Sequence, residues 1–496
     1  MPCPEGASSP HVNWPMMLND PILAAFDDRE KRDPSKTFAT SLSDRWSVGD
    51  VAALARSVTN SILASIPERG TVVGLAAPNG PGFVAGFLAL RRVGAVVLLF
   101  DWRTPQTERL RCADTIGAKA ILEVDHQWPR GAEDFSLHKL EMDEDSRQPN
   151  LPVDAATIRL TSGSTGTPQG IVHTSEALLA DDHNLSLTMG LEPDETILAS
   201  VPLSHAYGFA SILLPALRQR AILAVPEIGR PMAPMETVVH EGVTFLPTVP
   251  AYIRAILDML ERPPLPPELR LIISAGAPLG PNVAARFRET YGLPIHVFYG
   301  ASEVGGITFD RDGSAAERGT LGTPVENVQL ELEPTDGADD NQGVVLVRSP
   351  SAAIGYHPDT NPNLENGRFR TSDLAEFRDG ELALLGRVDE LINVKGLKLN
   401  PREVENVIAR MDGVIEAVVF GADDPGGGSQ VVCAVTAVSD RSTGYDQIRK
   451  WCRDHLAAHK VPRKVVTVES IPRNARGKID RGAVRALLTN DHRGPE

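Results

Sequence analysis

Leu160-Thr161-Ser162-Gly163-Ser164-Thr165-Gly166-Thr167-Pro168-Gln169-Gly170 is the stretch on which the reading of this chain turns. Five of its eleven residues carry hydroxyls and three are glycine. An apolar, branched run, Ala156-Thr157-Ile158-Arg159-Leu160, leads in, and Ile171-Val172 leads out. That pattern reads as strand, tight loop, strand. Glycine takes positive φ at little cost and lets a ligand approach bare backbone N–H groups. Successive N–H groups in such a turn form an anion-binding concavity, and the hydroxyls add donors. The stretch therefore proposes a phosphate cradle, distinct from a Walker A loop with its Gly-Lys-Ser/Thr ending. A flexible Ser/Gly linker is the bland reading, but a linker rarely sits between two apolar strand-like runs.

At 496 residues the chain exceeds one ordinary domain. With 42% hydrophobic and 23% charged residues it has the composition of a soluble globular protein. The net charge of −16 disfavours nucleic acid or an anionic membrane as the main partner. The four cysteines, Cys3, Cys112, Cys433 and Cys452, are scattered without a C-x-x-C pair. That argues against a disulfide scaffold or zinc site and fits a reducing cytoplasm. The first ten residues lack a basic segment followed by an apolar core, so no signal peptide is expected. No apolar run reaches the length of a transmembrane span.

Strand and helix patterns alternate through the first two thirds of the chain. Ser47-Val48-Gly49-Asp50 has the form of a capping box opening a helix to residue 66. Residues 71–77, 95–100, 119–124, 196–201, 221–225, 243–246, 271–274 and 294–299 read as strands, with helices at 81–92, 105–116 and 176–189. Such alternation predicts α/β layers with parallel sheets. After about residue 316 short strands and turns take over, at 328–332, 343–347 and 382–385. From Pro401 a helix, strands at 416–420 and 431–438, a helix at 445–459 and a strand at 464–468 form a compact α+β unit. The fold class expected is α/β: a large N-terminal domain with layered parallel sheets and helices plus a β-rich subdomain, and a small α+β C-terminal lid domain. The divisions are 1–385, a hinge at 386–391, and 392–496.

Several spaced motifs together resemble the adenylate-forming (AMP-binding) superfamily, whose members include acyl-CoA ligases, peptide-synthetase adenylation domains and beetle luciferases. The loop at 161–170 resembles its phosphate loop. Pro202-Leu203-Ser204-His205-Ala206-Tyr207-Gly208 resembles its acyl-pocket motif, and Ala275-Gly276-Ala277-Pro278-Leu279 its adenine-contacting turn. Tyr299-Gly300-Ala301-Ser302-Glu303 and Thr371-Ser372-Asp373-Leu374 follow. Gly386-Arg387-Val388-Asp389-Glu390-Leu391-Ile392 resembles the hinge motif, and Pro472-Arg473-Asn474-Ala475-Arg476-Gly477-Lys478 the catalytic-lysine motif. Any one is weak, but seven in the family's order are specific.

The resemblance implies an enzyme that joins a carboxylate to the α-phosphate of ATP, expels pyrophosphate, and passes the acyl group to a thiol. Negative charge gathers on the phosphorus oxygens, so donors, a cation and a metal must surround it. By resemblance Thr161, Ser162, Gly163, Ser164, Thr165 and Gly166 supply donors to the phosphates. Gly276, Ala277, Pro278, Tyr299 and Gly300 meet adenine, and Ser302 donates to the α-phosphate. Asp373 accepts from the ribose hydroxyls and Arg387 approaches ribose or phosphate. Glu303, with Thr165, holds Mg²⁺, a hard cation that prefers oxygen. Lys478, His205 and Glu303 are the catalytic candidates, although a lone lysine in a Gly-flanked loop is ordinarily solvated. Asp389 is the hinge, and Lys395 and Gly396 line the path of the thiol.

Two departures stand out: Pro168-Gln169-Gly170 replaces the family's usual Pro-Lys-Gly, and Ser372 replaces a common glycine. Amino-acid-activating relatives place an Asp in the acyl motif to hold the α-ammonium, and none stands here, so the resemblance points away from amino acids. Phe245-Leu246-Pro247-Thr248-Val249-Pro250-Ala251-Tyr252 is largely apolar and suggests a fatty or aromatic acid. Lys395-Gly396-Leu397-Lys398-Leu399-Asn400-Pro401 resembles acyl-CoA ligases, so coenzyme A is the expected acceptor. The alternatives are a free-standing ligase that loads an acyl carrier protein and a non-catalytic nucleotide- or acyl-binding protein.

Overall fold

The computed structural model describes residues 20–66, 68–140, 151–161, 168–335, 341–394, 397–423, 429–437, 444–473 and 479–490. Two mixed sheets build the larger part. The first has seven strands, in the order Gly355–His357, Gln169–Thr174, Ala155–Thr161, Val96–Asp101, Val72–Ala77, Ala120–Val124, Phe135–Lys139. Its four middle strands from Ala155–Thr161 to Ala120–Val124 are parallel, and the flanking pairs are antiparallel. The second has nine strands, and the six from His296–Ala301 to Thr37–Thr40 are again parallel, with antiparallel additions at both ends. The parallel layers expected from the alternation thus form the centres, and antiparallel strands flank them, some through hairpins and Gly355–His357 from far along the chain. Every residue of Val72–Ala77 is buried, as a strand covered on both faces requires.

Helix Pro81–Arg92 is buried from Pro81 to Arg91, which explains its lack of a polar face. Phe87 meets Phe209 edge-on with centroids 5.3 Å apart. Helix Val48–Ile62 begins with the predicted capping box, Ser47 Oγ accepting from Asp50 N while the Asp50 carboxylate accepts from Ser47 N. It stops short of residue 66 because the chain tightens into a 3-10 turn at Leu63–Ser65. Asp20 caps helix Pro21–Arg32 and pairs with buried Arg91 at 2.7 Å, a link across 71 positions.

The β-rich part is a five-stranded antiparallel sheet that includes Gln342–Arg348, Arg368–Arg378 and Glu381–Arg387. Its Val345, Val347, Phe369 and Leu382 join the main core. From Ile392 onward a separate set of apolar residues takes over. Strands Val414–Asp423, Ser429–Ala437 and Lys464–Thr467 form one sheet. One face packs Ile392, Val404, Ile408 and Ile448, and the other packs Phe420, Val432, Ile471 and Val484. Helix Tyr445–His455 ends before residue 459, because Ala458–Lys460 forms a 3-10 turn. The glycine run at 426–428 lies outside the described residues.

Candidate active site

Strands Val96–Asp101, Ala155–Thr161, Leu271–Ser274 and His296–Ala301 deliver their carboxyl ends to one cavity of about 650 Å³. Ligand sites of open parallel sheets occupy this position, because the loops there are free to diverge. Six predicted site residues line it: Thr161, His205, Gly276, Ala277, Gly300 and Ser302. Gly276 follows Leu271–Ser274 with φ +81, a left-handed turn that suits glycine and brings bare backbone to the cavity. Pro278 falls just beyond the lining.

Tyr299, Glu303, Asp373 and Arg387 gather beside the cavity through hydrogen bonds that cross the sheets. Tyr299 Oη donates to Asp373 Oδ2 at 2.6 Å. Asp373 sits opposite Arg387 in the antiparallel register, with Arg387 Nη1 3.6 Å from Asp373 Oδ1. Tyr356 Oη donates to Glu303 Oε1 at 2.7 Å. Burial raises the Glu303 carboxyl above its ordinary value, and the Tyr356 hydrogen bond opposes that rise. Burial also lifts the Tyr299 phenol well above its usual range, with Asp373 adding to the effect. Both phenols therefore stay protonated donors at neutral pH.

His205 Nε2 lies 3.3 Å from Asp101 Oδ2, and Arg103 grips the same carboxylate through Nε and Nη2. Burial works against the charge of Asp101, but hydrogen bonds from His205 and Arg103 outweigh it and hold the carboxyl well below its ordinary value. Sequence reasoning missed Asp101; its signal is a lone acid ending the run Val96-Val97-Leu98-Leu99-Phe100 at a strand's carboxyl end. It also missed Asn79, whose Nδ2 donates to Ala199 O and Val201 O at 2.9 and 2.8 Å. Asn79 Oδ1 accepts from Leu203 N at 2.9 Å, so one side chain fastens the lead-in to the acyl motif. Nothing local marks that asparagine, because its partners are 120 and more positions away. Tyr207 anchors the same motif by contacts with Thr248 N at 3.0 Å and Ile273 O at 3.2 Å.

Ser162, Gly163, Ser164, Thr165, Gly166, Lys395, Gly396 and Lys478 lie outside the described residues. Asp389 falls in the 3-10 turn Val388–Glu390. Thr161 and Gln169 pair at the mouth of the hairpin, where Thr161 Oγ1 donates to Gln169 O at 3.3 Å. Arg473 and Ile479, on either side of the lysine motif's end, form an antiparallel bridge. Arg473 also lines the cavity, so the C-terminal part reaches the site. Among the described residues no group of three or more His, Cys, Asp or Glu could hold a metal by itself. A metal here fits the single carboxylate of Glu303 only if phosphate oxygens supply further ligands, the usual arrangement for magnesium with nucleotides.

The chain belongs to the AMP-binding enzymes: residues 26–357 match that family, and residues 403–478 match its C-terminal domain. It is an acid–thiol ligase of the acyl-CoA type, taking a carboxylic acid, ATP and coenzyme A. It is 30% identical over 460 residues to a probable CoA ligase, CCL9, of Humulus lupulus, covering 85% of this chain and 88% of that one. It is 28% identical over 449 residues to 2-succinylbenzoate–CoA ligase of Geobacillus sp., covering 86% and 89%. ATP-bound MatB of Rhodopseudomonas palustris has the same fold, with a TM-score of 0.82 at 21% identity over 96% of this chain and all of that one. No helix among the described residues is long and apolar enough to cross a membrane.

Proposed function

We propose that the cavity binds ATP along Thr161, Gly276, Ala277, Tyr299 and Asp373 and activates a fatty or aromatic acid seated against His205 and Tyr207. The observation that carries this reading is the convergence of Thr161, His205, Gly276 and Ser302 on one cavity. Asp373 accepts from Tyr299 and retains oxygen lone pairs for ribose hydroxyls. Pro278 shapes the adenine turn, Gly300 lets the nucleotide lie close to backbone, and Ser302 donates to the α-phosphate. The loop from Ser162 to Gly166 adds phosphate donors, and Arg387 adds positive charge. Glu303 and Thr165 would hold Mg²⁺, which would neutralise phosphate charge.

His205 orients the incoming carboxylate, its own ring held by Asp101. Lys478 bridges carboxylate and α-phosphate when the C-terminal domain is closed. One unit charge about 4 Å from an oxyanion contributes on the order of 4 kcal/mol at an effective dielectric near 20. Residues 392–496 then turn about 386–391, with Asp389 as pivot, and Lys395 and Gly396 line the path of the thiol of coenzyme A. The aromatic preference is supported by the relative that acts on 2-succinylbenzoate. A cytoplasmic setting is supported by Cys433 and Cys452, which are buried free thiols. An acyl carrier protein is the alternative acceptor.

ATP–pyrophosphate exchange tests the reading. The purified protein should show exchange that requires both a carboxylic acid and Mg²⁺. Absence of exchange over a broad panel of fatty and aromatic acids would favour a non-catalytic binding protein.

A further inference from the structure

The inner wall of the cavity holds a charge to which the chemistry above assigns no role. Arg159 stands two residues before Thr161 on strand Ala155–Thr161, so the two side chains leave the same face. Both line the cavity. Arg159 is only 5% exposed, and its Nε and Nη2 meet no hydrogen-bond partner among the described residues. Its guanidinium lies 4.8 Å over the ring of Phe209, the residue that directly follows the acyl motif.

The nearest acid does not complete it. Asp181 makes no ion pair with Arg159, and its Oδ1 accepts instead from Gly306 N at 2.9 Å. Gly305 has φ +72, and a Cβ there would stand 2.3 Å from that same oxygen, so the carboxylate is wedged against the backbone that follows Glu303. Burial pushes Asp181 up to about 6 and Arg159 down to about 10, each partly opposed by the other's charge, so both are largely ionised at neutral pH without forming an ion pair. Neighbouring His173 is driven well below its usual value by burial and by Arg159, so it adds no charge. A guanidinium taken out of water without a paired anion is costly, and such costs are met where a ligand supplies the partner. Phe209 follows the acyl motif and Gly305 follows Glu303, whereas the adenine turn at Gly276 supplies none of these neighbours.

We propose that Arg159 is a specificity-determining residue, the counter-ion for a second anionic group at the far end of the acid from the carboxyl that is activated. This rests on the acid-activating reading above and narrows it: the substrate is an acid with an apolar or aromatic body and a distal carboxylate or similar anion. The competing use for the cation is the ATP phosphates, given the missing loop lysine at Gln169.

Exchange kinetics with matched mono- and dicarboxylic acids of one carbon skeleton separate these uses, in the wild type, Arg159→Met and Arg159→Lys. The wild type should favour the diacid. Arg159→Met should lower kcat/KM for the diacid by at least about 30-fold, the loss expected on removing one member of a buried charge pair. The same variant should gain activity on the monoacid and keep its KM for ATP, and Arg159→Lys should retain part of the diacid preference. A gain on one substrate cannot come from misfolding. A wild type that uses only monoacids overturns the proposal. So does a Met variant with a raised KM for ATP and equal losses on both acids. Absence of exchange with any acid would instead overturn the acid-activating reading itself.

Discussion

Asp181 shows how one residue couples the site to stability. Its carboxyl is wholly buried between helix Ser175–Met189 and the turn at Gly305, facing Arg159, with Asp182 as its acidic neighbour. Burial raises its pKa from 3.8 to about 6 despite the Gly306 N–H and Arg159. A carboxyl raised on folding stabilises the protein below its unfolded value, and that contribution is lost as pH climbs through the folded value. The window is therefore about pH 4 to 6. The loss across it is on the order of 3 kcal/mol, since each pH unit between the unfolded and folded values is worth about 1.4 kcal/mol. Asp181→Asn removes the titration. The stability of the wild type relative to this variant should fall as pH rises from about 4 to about 6.5 and then level off. Urea unfolding of both proteins across that range provides the check, and a difference that stays flat with pH would count against the buried, protonated carboxyl.

At the scale of elements, the acyl motif is a connection held by side chains rather than by a ladder. Strand Thr196–Leu198 ends early, and the chain from Ala199 to Leu203 is fastened by three hydrogen bonds with Asn79, two donated by its Nδ2 and one accepted by its Oδ1. Asn79 lies just before helix Pro81–Arg92, so the buried helix sets the position of the motif. Asn79→Ala leaves two carbonyls and one N–H to find new partners, at about 1 kcal/mol net for each bond. The variant should lose roughly 1–3 kcal/mol of stability by that accounting. Its KM for the acid should rise more than its KM for ATP, because Thr161 and Gly276 are held by other strands. Chemical unfolding together with substrate kinetics reads both effects, and equal increases in the two KM values would contradict this division.

For the whole molecule, the proposed reaction draws on a cavity in one part and a lysine in another for two chemical steps. The ion pair of Arg473 with Glu416 belongs to the C-terminal part, yet Arg473 lines the cavity beside Arg254. Burial lowers Arg254 below its ordinary value, the charge of Arg473 adds to that, and Glu416 opposes it. If this closed arrangement serves adenylation, Lys478→Ala should slow adenylate formation by roughly two to three powers of ten, the cost of one preorganised donor. It should leave transfer from synthetic acyl-adenylate to thiol nearly intact. Asp389→Pro fixes φ at the proposed pivot and should spare adenylation while slowing thiol transfer. Single-turnover rates for each half-reaction decide the matter. Equal slowing of both steps by Lys478→Ala, in a protein that circular dichroism shows to be folded, would rule out the rotation.

Local chemistry was legible from the chain alone. Ser47 and Asp50 announce a helix start because a cap needs only residues three apart. The two strands on either side of residues 162–167 follow from apolar runs broken by glycine, and Thr161 pairs with Gln169 as that pattern implies. The ordered motifs identified the family, and six of the predicted site residues meet at one cavity. What the tertiary structure decided was partnership. The bonds of His205 to Asp101, Glu303 to Tyr356 and Leu203 to Asn79 join residues 104, 53 and 124 positions apart. Arg159 reads in the sequence as an interruption of an apolar run; only the packing of Phe209 and Asp181 around it shows a buried cation. A sequence specifies which groups a strand carries, but the direction and burial of a side chain depend on what distant strands and helices place beside it.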